Sequence, residues 1–117
     1  MAAGKTDLTI EQGATWSQVI YYQDAANAPI SIANCTLRMM ARTSYSANST
    51  ILSLSSSTGG ITVTNAANGT FALQQTAAQT SNLTTGTYVY DLELVKADNT
   101  VDRLLQGSLI VVPEVTR

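Results

Sequence analysis

The sequence predicts an all-β domain, a sandwich of short antiparallel strands, and three observations carry that expectation. Short runs of alternating or β-branched residues recur, each closed by a cluster of Gly, Pro, Asn or Ser. Thr76 to Asn82 is the lone stretch with helical leanings, and an isolated helix that short is marginal. A length of 117 residues and a hydrophobic content of 44% suit one core, hence a single domain over residues 1–117.

Taken in order, residues 1–6 lack periodicity and are expected to form a flexible N-terminal arm. Asp7 to Gln12 alternates, with Leu8 and Ile10 on one face, and Gly13 ends it. Thr15 to Gln23 is rich in aromatic and β-branched residues, among them Trp16, Val19, Ile20, Tyr21 and Tyr22. Asp24 to Pro29 has turn chemistry, and Ile30 and Ile32 suggest a brief strand after it. Thr36 to Arg42 places Leu37, Met39 and Ala41 on one face and Arg38, Met40 and Arg42 on the other.

Thr43 to Thr50 has no periodicity and reads as a mobile loop. Ile51 to Leu54 resumes as strand, and Ile61 to Thr64 and Phe71 to Leu73 flank Asn68-Gly69, a two-residue hairpin signal centred on Gly69. The longest strands are Gly86 to Val95, with Tyr88, Tyr90, Leu92 and Leu94 on one face, and Val101 to Val112. Alternation fails near Gly107, where a glycine inside a strand suggests a bulge. Pro113 to Arg117 forms a C-terminal tail.

Composition argues against catalysis. There is no histidine, which removes Ser-His-Asp and Cys-His hydrolases, the commonest zinc sites and the usual near-neutral acid or base. The single cysteine, Cys35, excludes an internal disulfide and, with no activating base, reads as a small apolar group. Asp91 and Glu93 lie two apart on one strand face and could in principle act as a catalytic pair, but cross-strand pairing with Arg38, Arg42 or Arg103 explains them better. Asp98, Asn99 and Asp102 match no calcium loop and fit a turn. No catalytic, cofactor or metal residue is therefore assigned.

Charged residues make up 12% of the chain and the net charge is -2, with the basic residues scattered, so no nucleic-acid footprint emerges. No apolar run reaches the length of a membrane helix, and the first residues lack a secretory signal, which predicts folding in a cytosol. Without that signal, the Asn-x-Ser/Thr sites at Asn34, Asn48, Asn68 and Asn82 carry no implication of glycosylation.

Leu83-Thr84-Thr85-Gly86-Thr87-Tyr88-Val89-Tyr90 resembles the tyrosine corner of immunoglobulin-like sandwiches. The resemblance implies that the Tyr88 hydroxyl bonds back to the chain just upstream, with Leu83 and Gly86 shaping the corner. It places Tyr90 where antibody domains carry their second cysteine. The cysteine pair and the central tryptophan of antibody domains are missing, so the likeness bears on architecture. The expected fold is an immunoglobulin-like antiparallel sandwich of about 7–9 short strands with at most one short helix near residues 76–82.

Several segments together resemble small virion proteins of tailed bacteriophages, similar to the N-terminal domain of baseplate upper proteins and tail-fibre attachment modules. They are Asp7-Leu8-Thr9-Ile10 with Gly13 and Trp16, Arg42, Gly69, Gly86 to Leu94, Arg103 to Gly107, and Pro113 to Arg117. The resemblance implies a non-enzymatic structural protein of the tail, baseplate or head-tail connection, made in the bacterial cytoplasm and located in the virion. Its partners are expected to be other virion proteins in a symmetric homo-oligomer or multi-copy assembly, with neither nucleic acid nor membrane. The alternatives are a capsid decoration protein and a carbohydrate-binding module using Trp16, Tyr21 or Tyr22. Candidate partner contacts are Met40 and Val89, apolar on otherwise polar faces, together with the Thr43 to Thr50 loop, the N-terminal arm and Pro113, Glu114 and Val115 of the tail.

Overall fold

The computed structural model describes residues 4–24 and 26–115. Its strands run in chain order as β1 (Gly4–Lys5), β2 (Leu8–Glu11), β3 (Trp16–Tyr21), β4 (Thr36–Arg42), β5 (Leu52–Ser55), β6 (Ile61–Asn65), β7 (Thr70–Gln75), β8 (Gly86–Val95) and β9 (Val101–Val112), with one helix, α1 (Ala77–Ser81), between β7 and β8. The larger sheet has the order β1-β9-β8-β4-β5, with β2 also paired to β9, and the smaller has the order β3-β7-β6. The expected all-β sandwich is thus present.

Two-residue periodicity dictates which face each strand buries. On β4, Leu37, Met39 and Ala41 are buried while Thr36, Arg38 and Met40 are exposed. On β8, Tyr88, Tyr90, Leu92 and Leu94 point inward. They meet Phe71 and Leu73 of β7, Ile10 of β2 and Leu109 of β9 in one core. Burying each such aliphatic side chain is worth about 1.5–3 kcal/mol.

The tyrosine corner forms as its sequence implies: Tyr88 Oη donates to the Thr84 carbonyl at 2.7 Å, and Leu83 is buried beneath it. The helix is also where expected. Thr76 and Gln79 exchange a reciprocal capping box. The buried Thr80 hydroxyl donates to the Ala14 carbonyl at 2.8 Å and accepts from the Gly13 N–H at 3.1 Å, which ties α1 to the β2–β3 crossing.

Four local expectations require correction. The sheet is not wholly antiparallel, because β1 and β2 run parallel to β9. Within the expected flexible arm, residues 1–3 lie outside the described residues, whereas Gly4 and Lys5 are strand and the Thr6 N–H bonds Gln106. No strand forms at Ile30 and Ile32. Instead their N–H groups bond Tyr22 and Ala66, and Ile32 plugs the core from an irregular segment. The β6–β7 hairpin closes through a 3-10 turn over Ala66–Asn68 and not through a two-residue loop. Gly69 remains its decisive residue, since it sits at φ +67° and any Cβ there would collide with the Ile30 carbonyl.

Gly107 likewise has a different role from the bulge expected of it. The β8–β9 register slips where Leu92 pairs with Leu105 and Glu93 with Arg103, so the extra residue is Leu104. Gly107 pairs with Tyr90, and its missing side chain leaves room for the Thr6 carbonyl. There Tyr90 Oη donates to that carbonyl, and the Asp7 carboxylate accepts the Ser108 N–H at 3.1 Å. These contacts clip the N-terminal ribbon onto β9. Burial, reinforced by the Asp7 charge, pushes the Tyr90 phenol up to about 12.

Two tests follow from these contacts. Tyr88→Phe removes the corner bond and should lower unfolding free energy by about 1 kcal/mol in urea titration with an unchanged slope. Because the Tyr90 phenol is raised above its unfolded value of 10.0, its stabilisation is complete below pH 10 and is lost as pH climbs toward about 12. Alkaline denaturation of the native chain should therefore show an excess loss of stability in that window, and the excess should vanish in Tyr90→Phe.

Candidate functional site

Pairing of β4 with β8 sets Arg38 beside Glu93, Met40 beside Asp91 and Arg42 beside Val89 on the outer face of the larger sheet. Arg38 Nε lies 2.9 Å from Glu93 Oε1 and Arg103 Nε lies 3.5 Å from Asp91 Oδ2. The two acids are therefore engaged in cross-strand ion pairs, as expected. At the other end of the hairpin Lys96 reaches Asp102 at 3.2 Å, and Asp98 accepts the Thr100 N–H at 3.0 Å in a turn with Asn99 at φ +69°. Turn geometry accounts for Asp98 and Asn99, and the Lys96 ion pair for Asp102.

The two apolar residues singled out on this face, Met40 and Val89, come together. With Arg42, Asp91, Tyr90 and Tyr45 they line a shallow hollow of about 160 Å3. Met40 is 39% exposed and Tyr45, from the loop after β4, is 79% exposed. The loop is anchored where it leaves the strand: Arg42 Nη1 donates to the Ala47 carbonyl at 3.0 Å, and Arg42 Nη2 lies 3.6 Å from Met40 Sδ. Tyr45 was not singled out from sequence as an individual residue, because nothing local marks which loop side chain overhangs the sheet.

The C-terminal candidates do not join this hollow. Pro113, Glu114 and Val115 line another, of about 360 Å3, with Glu11, Gln12, Gly13 and Ala14. Gln12 pins the tail by accepting the Glu114 N–H at 3.2 Å and donating to the Leu83 carbonyl at 2.9 Å. Gly13, at φ +84°, leaves the space that the Glu114 carboxylate fills. Leu83, Tyr88, Tyr90 and Gly69 act within the fold, in the corner, the N-terminal clip and the hairpin described above, and Gly86 opens β8 with the Tyr88 hydroxyl 3.5 Å from where a Cβ would sit.

A third concavity, about 350 Å3, opens at the end of the smaller sheet between Trp16, Gln74, Gln75 and Gln79. No titratable side chain lines it, so it offers hydrogen bonds and no acid–base chemistry. Among the described residues no three Cys, Asp or Glu side chains gather in a metal-binding cluster. Cys35 is half-buried, with its thiol 3.5 Å from the Ala33 carbonyl.

No family model and no curated protein matches the chain. Among solved structures, CopC from Methylosinus trichosporium OB3b aligns with all of this chain and 90% of its own, at 10% identity and a TM-score of 0.46. The expectation of a bacteriophage tail, baseplate or head-tail protein, with its capsid-decoration variant, is corrected here: a solved structure that aligns with the chain is that of CopC, not of a phage protein. A likeness that distant assigns no activity to the chain. The sugar-binding alternative is corrected on geometry, for Trp16 is only 8% exposed and Tyr22 packs against the core, leaving Tyr21 alone of the three rings facing outward.

Burial, with Glu93 adding to it, holds the Asp91 carboxyl above its ordinary range against the pull of Arg103, Arg38 and Arg42. For a carboxyl raised in the folded state, the associated stability is present below the unfolded value and is lost as pH rises through the folded one. At neutral pH the charge thus contributes nothing favourable, and this half-exposed site is well screened. Asp91→Asn should be neutral or stabilising by no more than about 0.5 kcal/mol at pH 7 in thermal or urea unfolding. A large loss would mean that the Arg103 pair outweighs burial.

Proposed function

We propose that the chain is a non-catalytic protein-binding domain whose contact surface is the outer face of the larger sheet around Met40, Arg42, Tyr45 and Val89. One observation carries this reading: a thioether, a guanidinium, an exposed phenol and a valine converge on a single hollow beside the Arg38–Glu93 and Arg103–Asp91 ion pairs. Tyr, Arg and Met are enriched in the buried centres of protein interfaces, and charges at the rim set orientation more than affinity. Arg38–Glu93 and Arg103–Asp91 supply such a rim, already neutralised in pairs. In this hollow the acid is not free for catalysis, since Asp91 is held by Arg103 and its neighbour Glu93 by Arg38.

The test uses a photo-crosslinking residue in place of Tyr45 in the intact chain, expressed in the cell that makes it, with the same residue at Thr62 on the other sheet as control. A discrete protein adduct from position 45 and not from 62 is expected. Once that partner is purified, Met40→Asp and Tyr45→Ala should each weaken its binding by roughly tenfold or more. Adducts from 62 alone, or full affinity in both variants, would sink the proposal.

A further inference from the structure

Charge is divided unequally between the two sheets. No Asp, Glu, Lys or Arg occurs in β3, β6 or β7, while both long strands of the larger sheet carry ion pairs. This matters most at the edges, where unpaired backbone groups invite another strand unless a charge, a proline, a bulge or brevity blocks them.

Three of the four edges are blocked. β5 has four residues, and its end folds into a turn in which Ser55 and Gly59 exchange backbone hydrogen bonds. β6 is broken by a register shift between Val63 and Asn65. The N-terminal ribbon is interrupted between β1 and β2 and carries Lys5 and Glu11. β3 differs from all of these. It is six residues long, pairs with β7 in unbroken register from Trp16–Gln75 to Tyr21–Thr70, and contains no charge, proline or bulge.

Its inward side is also incomplete. Gln18 pairs with Leu73, which is fully buried, so its side chain belongs to the core-facing row, yet it is exposed. The cause is a groove of about 280 Å3 between the edges of β2 and β3, lined by Thr9, Glu11, Ala14, Trp16, Ser17 and Gln18. Strand β3 thus presents an uncovered inner row at an edge whose backbone, among the described residues, is met only by the long bond from Gln18 Nε2 to the Val19 carbonyl at 3.4 Å, which the Gln18 amide can exchange for a partner.

We propose that a second copy of this chain docks here, with the two β3 strands pairing antiparallel about a two-fold axis beside Gln18 and joining the small sheets into one. The inference rests on the reading of the chain as a protein-binding domain and adds a second surface and a partner to it. Two-fold pairing sets the residue on the axis against its own twin and the strand against an identical copy, so a net charge on the strand would be repeated across the seam, and β3 carries none. Paired residues in a sheet must share a face, and this axis satisfies that: Gln18 meets Gln18, Trp16 meets Ile20, and Ser17 meets Val19 of the second copy. A primary amide both donates and accepts hydrogen bonds, so the Gln18 pair is self-complementary, and Ile20 covers the remaining exposed edge of Trp16.

Sedimentation equilibrium of the full chain between about 10 µM and 1 mM tests this, with circular dichroism to confirm folding of each variant. A monomer–dimer equilibrium is expected. Gln18→Lys sets two ammonium groups opposite each other and should weaken it about tenfold or more. Gln18→Cys, in a Cys35→Ser background, should form a disulfide-linked dimer on mild oxidation, whereas Tyr45→Cys in that background should not. A monomer throughout the range would overturn the β3 pairing and leave the Met40–Tyr45 surface to a different protein. A dimer that resists Gln18→Lys but dissociates with Met40→Asp would overturn it too, placing self-association on the larger sheet. A dimer resistant to both changes would overturn it equally.

Discussion

Strand β8 of the larger sheet is paired along its whole length with β9 and from Val89 to Val95 with β4. A strand paired on two sides has no freedom to slip, because a one-residue shift would send Tyr88, Tyr90, Leu92 and Leu94 to solvent and Val89, Asp91 and Glu93 into the core. That constraint propagates outward. It sets the register of β4, which decides that Met40 and Arg42 stand beside Asp91 and Val89, and it sets the register of β9, onto which the N-terminal ribbon is laid. The tyrosine corner at the start of β8 fixes where the strand begins, so one hydroxyl anchors a register that several other elements inherit.

The N-terminal ribbon illustrates how a parallel pairing is added to such a frame. Parallel strands cannot be joined by a tight hairpin, and here the whole domain separates β2 from β9. The specificity comes from a few long-range contacts: the Gly107 gap, the Tyr90 hydroxyl on Thr6, and Asp7 on the Ser108 N–H. None has a signature in local periodicity. The ribbon was legible as a strand only at Leu8 and Ile10, where alternation is present, and its tethered first residues read from sequence as a free arm.

The same division between local and long-range information explains what was legible elsewhere. Runs with a two-residue period, as in β4 and β8, and a capped turn such as Thr76 to Gln79 announce themselves because the signal lies within a few residues. Ile30 and Ile32 have strand-like spacing, but Tyr22 and Ala66 take up their N–H groups and no ladder forms. Gly107 and Leu104 show the limit within a strand: sequence located an irregularity in β9, yet the extra residue is the leucine, and the glycine answers a contact from the far end of the chain. For the candidate site, the exposed apolar pair Met40 and Val89 was readable from face assignment alone. Tyr45 was not, since its place over the sheet depends on the Arg42 tether to Ala47.

Segregating charge to one sheet gives the two faces of the domain different chemistries. On the larger sheet, arginines and acids pair with one another beside the small hollow around Met40, Tyr45 and Val89. On the smaller sheet nothing is charged, so neither attraction nor repulsion guides an approaching surface, and backbone pairing at the edge becomes the dominant opportunity. A charged rim around an apolar centre orients a partner of complementary shape, whereas a neutral strand edge accepts a partner through main-chain geometry. Because the two lie on opposite sheets of one sandwich, the proposed engagement at either would leave the other open.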